Sequence, residues 1–249
     1  MADEDRSGGI WGILRETMIV VVGALIGSTL LRLFLLQVFL IPSRSMETTL
    51  NVGDRVAVLK VGGYARGDVV VFRDDLEWLG NPDRFNQPMW REVLTFVGLL
   101  PDEATNHLVK RVIGLGGDHV VCCDTQGRIT VNDTALDETS YLYKDASGVQ
   151  DAPSAYAFDV TVPAGHVFVM GDHRTNSADS RCHLSEESAG VAGLGGFPSS
   201  DAVVGKVAWT IFPFDRWRGF STPDTFASVP DASAEAPAEP VIVGEAPPC

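Results

Sequence analysis

The chain has 249 residues, of which 45% are hydrophobic and 21% are charged, and its 33 acidic side chains outnumber 19 basic ones. The net charge of −14 argues against nucleic acid as a partner, because a phosphate backbone needs a basic surface. The hydrophobic fraction excludes a chain that is disordered throughout, and the length suits one or two domains with a core of their own.

The first predicted element is an apolar helix near the N-terminus. Met18–Leu31 carries no charge, and apolar residues resume after Arg32 as far as Ile41. Fourteen residues span only about 21 Å as a helix, so we expect the helix to extend further, with Arg15 and Arg32 reaching towards the two interfaces of a bilayer about 30 Å thick. A cleavable signal sequence is the alternative, but the N-terminus is acidic and no A-x-A site follows. The segment therefore predicts a membrane anchor that interacts with the lipid bilayer.

The chain beyond Ile41 is predicted to be mostly β-structure. Short runs rich in β-branched and aromatic residues, such as RVAVLKV, DVVVF, LVKRVIGL and HVFVM, are separated by Gly, Asp, Asn and Pro. Strands joined by turns fit this pattern better than alternating strand and helix units. One exception lies between Pro88 and Pro101, where apolar residues at helical spacing predict an amphipathic helix.

The cysteines predict neither a disulfide scaffold nor a metal site. There are four of them, Cys122, Cys123, Cys182 and Cys249, and none has zinc-ligand spacing with another cysteine or a histidine. On a strand, Cys122 and Cys123 would point to opposite faces, so each would need its own partner. Buried thiols or one surface disulfide are the interpretation that the cysteines favour. We predict no metal and no cofactor.

The last segment, residues 221–249, differs in composition from the rest. It has five acidic residues, no basic residue and six of the fourteen prolines. Such a composition predicts a disordered, acidic tail rich in Pro and Ala, whose removal leaves catalysis intact.

The first candidate catalytic residue is Lys110, in LVKRVIGLGG. Leu108 and Val112 share its face of a predicted strand. Val109 and Ile113 lie on the opposite face. A strand that is apolar on both faces is normally buried on both, and burial lowers the pKa of a lysine towards the range of a general base. A lysine that reaches solvent from a strand edge is the alternative that this segment leaves open.

Two polar segments offer partners for such a lysine. In IPSRSMETTL, directly after the apolar segment, Ser45 precedes Met46, whose thioether can shield a nucleophile from water, and Ser43 lies two residues earlier. In VMGDHRTNSADSR, charged groups can form ion pairs and Ser177 can hydrogen-bond an amine. Each segment alone is also typical of a structural turn.

In this order and spacing, the three segments and RGDVVVF at Arg66–Phe72 resemble the bacterial type I signal peptidases, which are membrane-anchored serine proteases with a Ser–Lys dyad. The family's serine box PSxSMxPTL is similar to PSRSMETTL here. Its lysine box KRVIGLPGD is similar to KRVIGLGGD, and its last box GDNRDNSxDSR to GDHRTNSADSR. The resemblance extends from Leu33 to Trp217.

The resemblance implies an endopeptidase that removes signal peptides from exported preproteins after small residues, at A-x-A sites. It implies Ser45 as the nucleophile and Lys110 as the neutral general base, with the Ser45 N–H and the Ser43 hydroxyl forming the oxyanion hole. Ser177 would orient the lysine amine. The remaining implied roles are supporting ion pairs, made by Asp172, Asp179, Arg111 and Arg181, and substrate pockets lined by Ile41, Met46 and Val109.

The chain departs from the family's boxes at several positions. Thr48 and Gly116 each stand where the family has proline, and His173 and Thr175 replace Asn and Asp in the last box. Leu108 replaces an aromatic residue before the lysine box.

Three other classes of protein fit the sequence less well. A Ser–Lys self-cleaving repressor or phage-type maturation protease would lack an N-terminal membrane anchor. It would also need a helical DNA-binding domain, for which residues 1–44 leave no room. A Ser-His-Asp hydrolase would need a histidine against Ser45, and no GxSxG surrounds that serine. A non-enzymatic anchored β-domain would function without Ser45 or Lys110.

We therefore expect a mostly β fold, with one transmembrane helix before an antiparallel β-sheet body. Flanking charges leave the orientation open, because long domains translocate largely regardless of them. The resemblance places the body outside the cytoplasmic membrane, where preproteins emerge. The expected regions are a cytoplasmic N-terminus at 1–16, a single-pass anchor and lead-in at 17–41, an extracytoplasmic peptidase domain at 42–220 with a smaller β subdomain inserted at about 119–165, and the tail at 221–249.

Overall fold

The computed structural model of the protein describes residues 6–80 and 106–246, and within the first helix it describes the side chains of residues 11–30 and 34. The amphipathic helix predicted between Pro88 and Pro101 lies outside the described residues.

The N-terminal segment forms one continuous helix, α1, at Arg6–Phe34. Its stretch Trp11–Leu30 is 20 residues long and apolar enough to cross a membrane, and none of that stretch is buried against the body. At 1.5 Å per residue, 20 residues span about 30 Å, the thickness of a hydrocarbon layer. The helix ends before the second part of the apolar run, because Leu36–Leu40 forms a strand instead.

The body contains two antiparallel sheets. The strands of the main sheet are β1 at Leu36–Leu40, β2 at Arg55–Leu59, β3 at Val69–Arg73, β4 at His107–Leu115, β9 at Val167–Met170, β10 at Val203–Phe212 and β11 at Arg218–Gly219. Their order in the sheet is β1-β2-β10-β3-β4-β9, and β11 also pairs with β10.

The strands of the small sheet are β5 at His119–Cys122, β6 at Ile129–Val131, β7 at Thr134–Ala135, β8 at Phe158–Thr161 and β12 at Val241–Ile242. Their order in the sheet is β12-β8-β5-β6-β7. Four of these strands lie in the chain between β4 and β9 of the main sheet. The mostly β class, the antiparallel sheets and the N-terminal apolar helix are thus confirmed.

Two apolar clusters position the polar residues discussed below. The first joins the two sheets, since Ile113 and Phe168 of the main sheet pack with Val120 and Phe158 of the small sheet. The second lies beneath the turn that follows β1 and includes Met46, which is fully buried.

The segment after residue 220 differs from the disordered tail that we expected. Phe226 and Val229 are buried in the cluster between the two sheets, and β12 pairs with β8. Gly67, at a φ of 86°, makes room for the Phe226 ring, because a Cβ at that position would lie 2.5 Å from Phe226 Cδ2. The average composition of the segment did not predict this packing, because one aromatic side chain and one short strand are enough to dock a segment that is otherwise polar.

The adjacent cysteines also differ from expectation. Cys122 and Cys123 are joined to each other by a disulfide instead of having separate partners. The prediction assumed that both residues lie on one strand, but β5 ends at Cys122, so the alternation of side chains does not extend to Cys123.

Candidate active site

Ser45 lies in a tight turn after β1. The turn is closed by hydrogen bonds from Glu47 N to Arg44 O (3.0 Å) and from Leu50 N to Met46 O (2.6 Å). Met46 and Leu50 are fully buried in the cluster below, so the turn is held from beneath. This packing keeps Ser45 in a fixed place at the edge of the core, with only 7% of its surface exposed.

Lys110 lies in the middle of β4, between β3 and β9. It is 3% exposed, as predicted from the apolar residues on both faces of its strand. Its Nζ is 2.6 Å from Ser45 Oγ, so the fold joins two side chains that are 65 residues apart in the chain. At this distance a neutral amine can take the proton of the hydroxyl.

Burial lowers the pKa of Lys110 from 10.5 to about 8. Asp179 and Asp172 act in the opposite direction, while Arg181 lowers the pKa further. Because each of these two carboxylates is paired with its own arginine, their fields largely cancel and burial decides the pKa of the amine.

The four residues expected to form supporting ion pairs form two buried pairs. Arg111 donates from Nε and Nη2 to the two oxygens of Asp172, at 2.8 and 2.6 Å. Arg181 donates from Nε and Nη2 to the two oxygens of Asp179, at 2.8 and 2.9 Å. Burial raises the pKa of Asp179, but its bonds with Arg181 more than offset this and hold the pKa below its ordinary value.

Ser43 and Ser177 each contact the Ser45–Lys110 pair or a residue that acts on it. Ser43 is an exposed residue, and its hydroxyl lies 3.3 Å from Ser45 Oγ. The Ser177 hydroxyl donates to Asp179 Oδ2 at 2.8 Å. Ser177 therefore contacts a carboxylate that acts on Lys110, and among the described hydrogen bonds it has none with the amine itself.

The three residues predicted to line substrate pockets, Ile41, Met46 and Val109, belong to one buried cluster next to the Ser45 turn. A cavity of about 790 Å³ is lined in part by Arg111. Its described lining also includes Thr49 and Tyr141 and does not include Ser45 or Lys110.

Several buried residues that support the site were missed in the sequence. Thr49 donates to Asp172 Oδ2 at 2.5 Å. Arg174 forms a buried ion pair with Glu138 of the small-sheet region, at 2.5 Å, and donates to Gly171 O. Arg174 and Thr49 lie within the segments that resemble the family's boxes, so the sequence contained a signal that these two residues belong to the site. Nothing in the sequence linked Glu138 to them.

The turn also contains an unusual backbone conformation. Thr48 has a φ of 80°, in the left-handed region that β-branched residues rarely adopt. Proline, which the family has at this position, is locked near −65° and cannot adopt it. The turn of this chain therefore differs locally from one that contains proline.

Comparison with known proteins identifies the family. The family model described as "Signal peptidase, peptidase S26" matches residues 14–212. The chain belongs to the signal peptidase family. Signal peptidase I of Mycobacterium tuberculosis (strain CDC 1551 / Oshkosh) is 37% identical over 224 residues, which cover 82% of this chain and 74% of that protein.

Other signal peptidases are similar over much of the chain. Signal peptidase I U of Bacillus subtilis (strain 168) is 30% identical, over 80% of this chain and 87% of that protein. A solved signal peptidase I from Enterococcus faecalis V583 aligns with 59% of this chain and 99% of its own, at 21% identity and a TM-score of 0.30, and the family assignment does not rest on it. Ser45, Lys110 and the segment 171–181 all lie within the span that the family model matches.

Proposed function

We propose that this signal peptidase family member is a membrane-anchored serine endopeptidase that removes signal peptides from exported preproteins after small residues, at A-x-A sites. Its family supports a peptidase acting on signal peptides. The observation that carries the Ser–Lys mechanism is the 2.6 Å contact between Ser45 Oγ and the buried amine of Lys110, whose pKa is about 8.

The proposed reaction begins with transfer of the Ser45 proton to neutral Lys110. Ser45 Oγ then attacks the scissile carbonyl, and the oxyanion is held by the Ser45 N–H and the Ser43 hydroxyl. Among the described residues, the Ser45 N–H donates to no backbone carbonyl, so it is available for this role. The intermediate collapses, the peptide bond breaks, and protonated Lys110 gives its proton to the leaving amine.

Water completes the proposed cycle. Lys110, neutral again, takes a proton from a water molecule that attacks the acyl-enzyme carbonyl. The signal peptide then leaves with a new carboxylate, and Ser45 recovers its proton from Lys110. The buried pairs Arg111–Asp172 and Arg181–Asp179 hold the surrounding backbone and add little net charge, which favours a neutral amine.

Anchoring supports the choice of substrate. One strand and one turn separate the end of α1 at Phe34 from Ser45, so the nucleophile is tethered close to the end of the helix. A signal peptide whose apolar region lies in the bilayer presents its cleavage site near the membrane surface. The tether therefore supplies effective concentration at that depth. The proposal includes a body on the extracytoplasmic side, with small pockets formed near Ile41, Met46 and Val109.

The test is cleavage of a purified preprotein with an Ala-x-Ala site by the full chain in detergent micelles. Ser45→Ala and Lys110→Ala are each expected to lower kcat at least about 10³-fold. Lys144→Ala and Ser147→Ala replace exposed residues of the same types and serve as controls with wild-type activity expected. Substantial cleavage by Ser45→Ala or Lys110→Ala would refute the proposed mechanism.

A further inference from the structure

His173 contacts the Ser45 turn through both its backbone and its side chain. Its N–H donates to the Ser45 carbonyl at 3.0 Å. Its Nδ1 lies 3.2 Å from Glu47 Oε2, two residues beyond the proposed nucleophile. His173 therefore contacts the turn at Ser45 and at Glu47, on either side of Met46.

The ring of His173 is itself fixed by the small-sheet region. It stacks on Tyr143, with ring centroids 3.7 Å apart and planes 13° from parallel. Tyr143 N also donates to the carbonyl of Asp172, the residue before His173. The ring therefore has little freedom to move away from Glu47.

The charges around His173 favour an electrostatic role. Nδ1 is buried and is not aligned with Glu47 as a hydrogen bond, so their attraction depends mainly on the charge of the imidazole. The other charged or titratable groups that surround the pair are Arg44, 3.6 Å from the same Glu47 oxygen, the stacked Tyr143, and the chain neighbours Asp172 and Arg174, both of which are engaged in their own buried ion pairs.

We propose that His173 is a positioning residue that fixes the Ser45 turn for attack through its pair with Glu47 and its stacking on Tyr143. This inference rests on the proposed function, and it concerns a position where the chain departs from the family's asparagine. Asparagine keeps the backbone donor but has no ring to stack on Tyr143 and no ring nitrogen beside Glu47. A small displacement of a nucleophile is costly, so the expected effect is on kcat rather than on substrate binding.

The experiment is a double-mutant cycle on the full chain in detergent micelles, with a synthetic peptide that contains an Ala-x-Ala site. His173→Asn and Glu47→Gln are each expected to lower kcat about tenfold and to change KM less than about twofold. The double variant is expected to be no slower than the slower single variant, because both substitutions break the same contact.

A second pair in the same chain provides the matched control. His183 Nδ1 lies 2.9 Å from Glu186 Oε2, and its ring stacks on Trp78 at 4.5 Å, but neither residue contacts the Ser45 turn. His183→Asn and Glu186→Gln are expected to leave kcat within about twofold of wild type, whatever they do to the melting temperature.

Three results would overturn the inference: a kcat for His173→Asn within twofold of wild type, effects of the two substitutions that multiply in the double variant, or an equal loss in the control pair. If His173→Asn fails to fold, Glu47→Gln decides alone, because it removes one charge from a partly exposed side chain without changing its shape. If Ser45→Ala is inactive and His173→Asn has wild-type activity, only this inference is refuted. If Ser45→Ala is active, the proposed function is refuted as well.

Discussion

Replacing Lys110 with methionine is expected to abolish activity and to stabilise the folded protein at neutral pH. Methionine fills a similar volume but carries no charge. Burial moves the pKa of Lys110 from 10.5 to about 8. At pH 7 the folded state therefore contains a protonated amine whose charge is disfavoured by burial. At about 1.4 kcal/mol for each pH unit between the two values, this costs the wild type about 3 kcal/mol.

The net gain is smaller than this cost. Lys110→Met also loses the hydrogen bond to Ser45, which is worth about 1 kcal/mol. The expected stabilisation at pH 7 is therefore about 2 kcal/mol, or a rise of about 4–8 °C in melting temperature for a chain of this length.

The pH dependence of this gain follows from the direction of the pKa shift. The folded state gives up the lysine proton above about pH 8, while the unfolded chain keeps it up to about 10.5. The wild type therefore becomes more stable, relative to the methionine variant, as the pH rises through this window. At about pH 9.5 we expect the advantage of Lys110→Met to have almost vanished.

The assay is denaturant unfolding of the full chain in detergent micelles, followed by tryptophan fluorescence at both pH values. Lys144→Met, which replaces an exposed lysine, is the control and should change the free energy of unfolding by less than about 0.5 kcal/mol. The reasoning is refuted if Lys110→Met is less stable than wild type at pH 7, or if the difference is the same at both pH values.

Three further predictions concern the oxyanion hole, the strained turn and the C-terminal segment. Ser43→Ala should lower kcat about 10²-fold or more with little change in KM, in steady-state peptide cleavage, while Ser43→Thr keeps the hydroxyl and most of the activity; a purely KM effect would contradict the oxyanion role. Thr48→Gly should raise the free energy of unfolding by about 1 kcal/mol, because glycine adopts a left-handed φ without strain. Thr48→Pro should lower the free energy of unfolding by more than that, and a stabilising proline would contradict the observed turn. Phe226→Ala should lower the free energy of unfolding by about 3 kcal/mol or more, compared with almost no change for the exposed control Val243→Ala; equal effects would show that the segment does not pack on the body.

The fold class could be predicted because hydrophobic patterning is a local signal. The apolar helix and the short β-branched runs each reveal an element within a few residues of sequence. The burial of Lys110 followed in the same way, since both faces of its strand are apolar and the strand lies between two others. The position of Ser45 opposite it came from the resemblance to the family, because no local pattern connects residues 65 positions apart.

The features of the fold and the site that the sequence did not predict depend on contacts between residues far apart in the chain. Glu138 contacts Arg174 only because the chain folds the small sheet onto the main sheet, and a lone acidic residue in a loop gives no sign of such a partner. The tail was expected to be disordered from its average composition, yet Phe226, Val229 and the strand β12 dock it on the body. Composition reports the solubility of a segment and does not report whether one of its side chains fits a gap elsewhere.

The central claim is that a neutral Lys110 activates Ser45, and the pH dependence of kcat/KM tests it most directly. Measured from about pH 6 to 10 on an Ala-x-Ala peptide, kcat/KM reports the free enzyme and should rise with an apparent pKa close to 8, the value to which burial lowers the Lys110 amine. The rise should be unchanged when His107, His119, His166 and His183 are replaced one at a time. A rise centred near 6.5 that one of these replacements removes would contradict the account and indicate a histidine base.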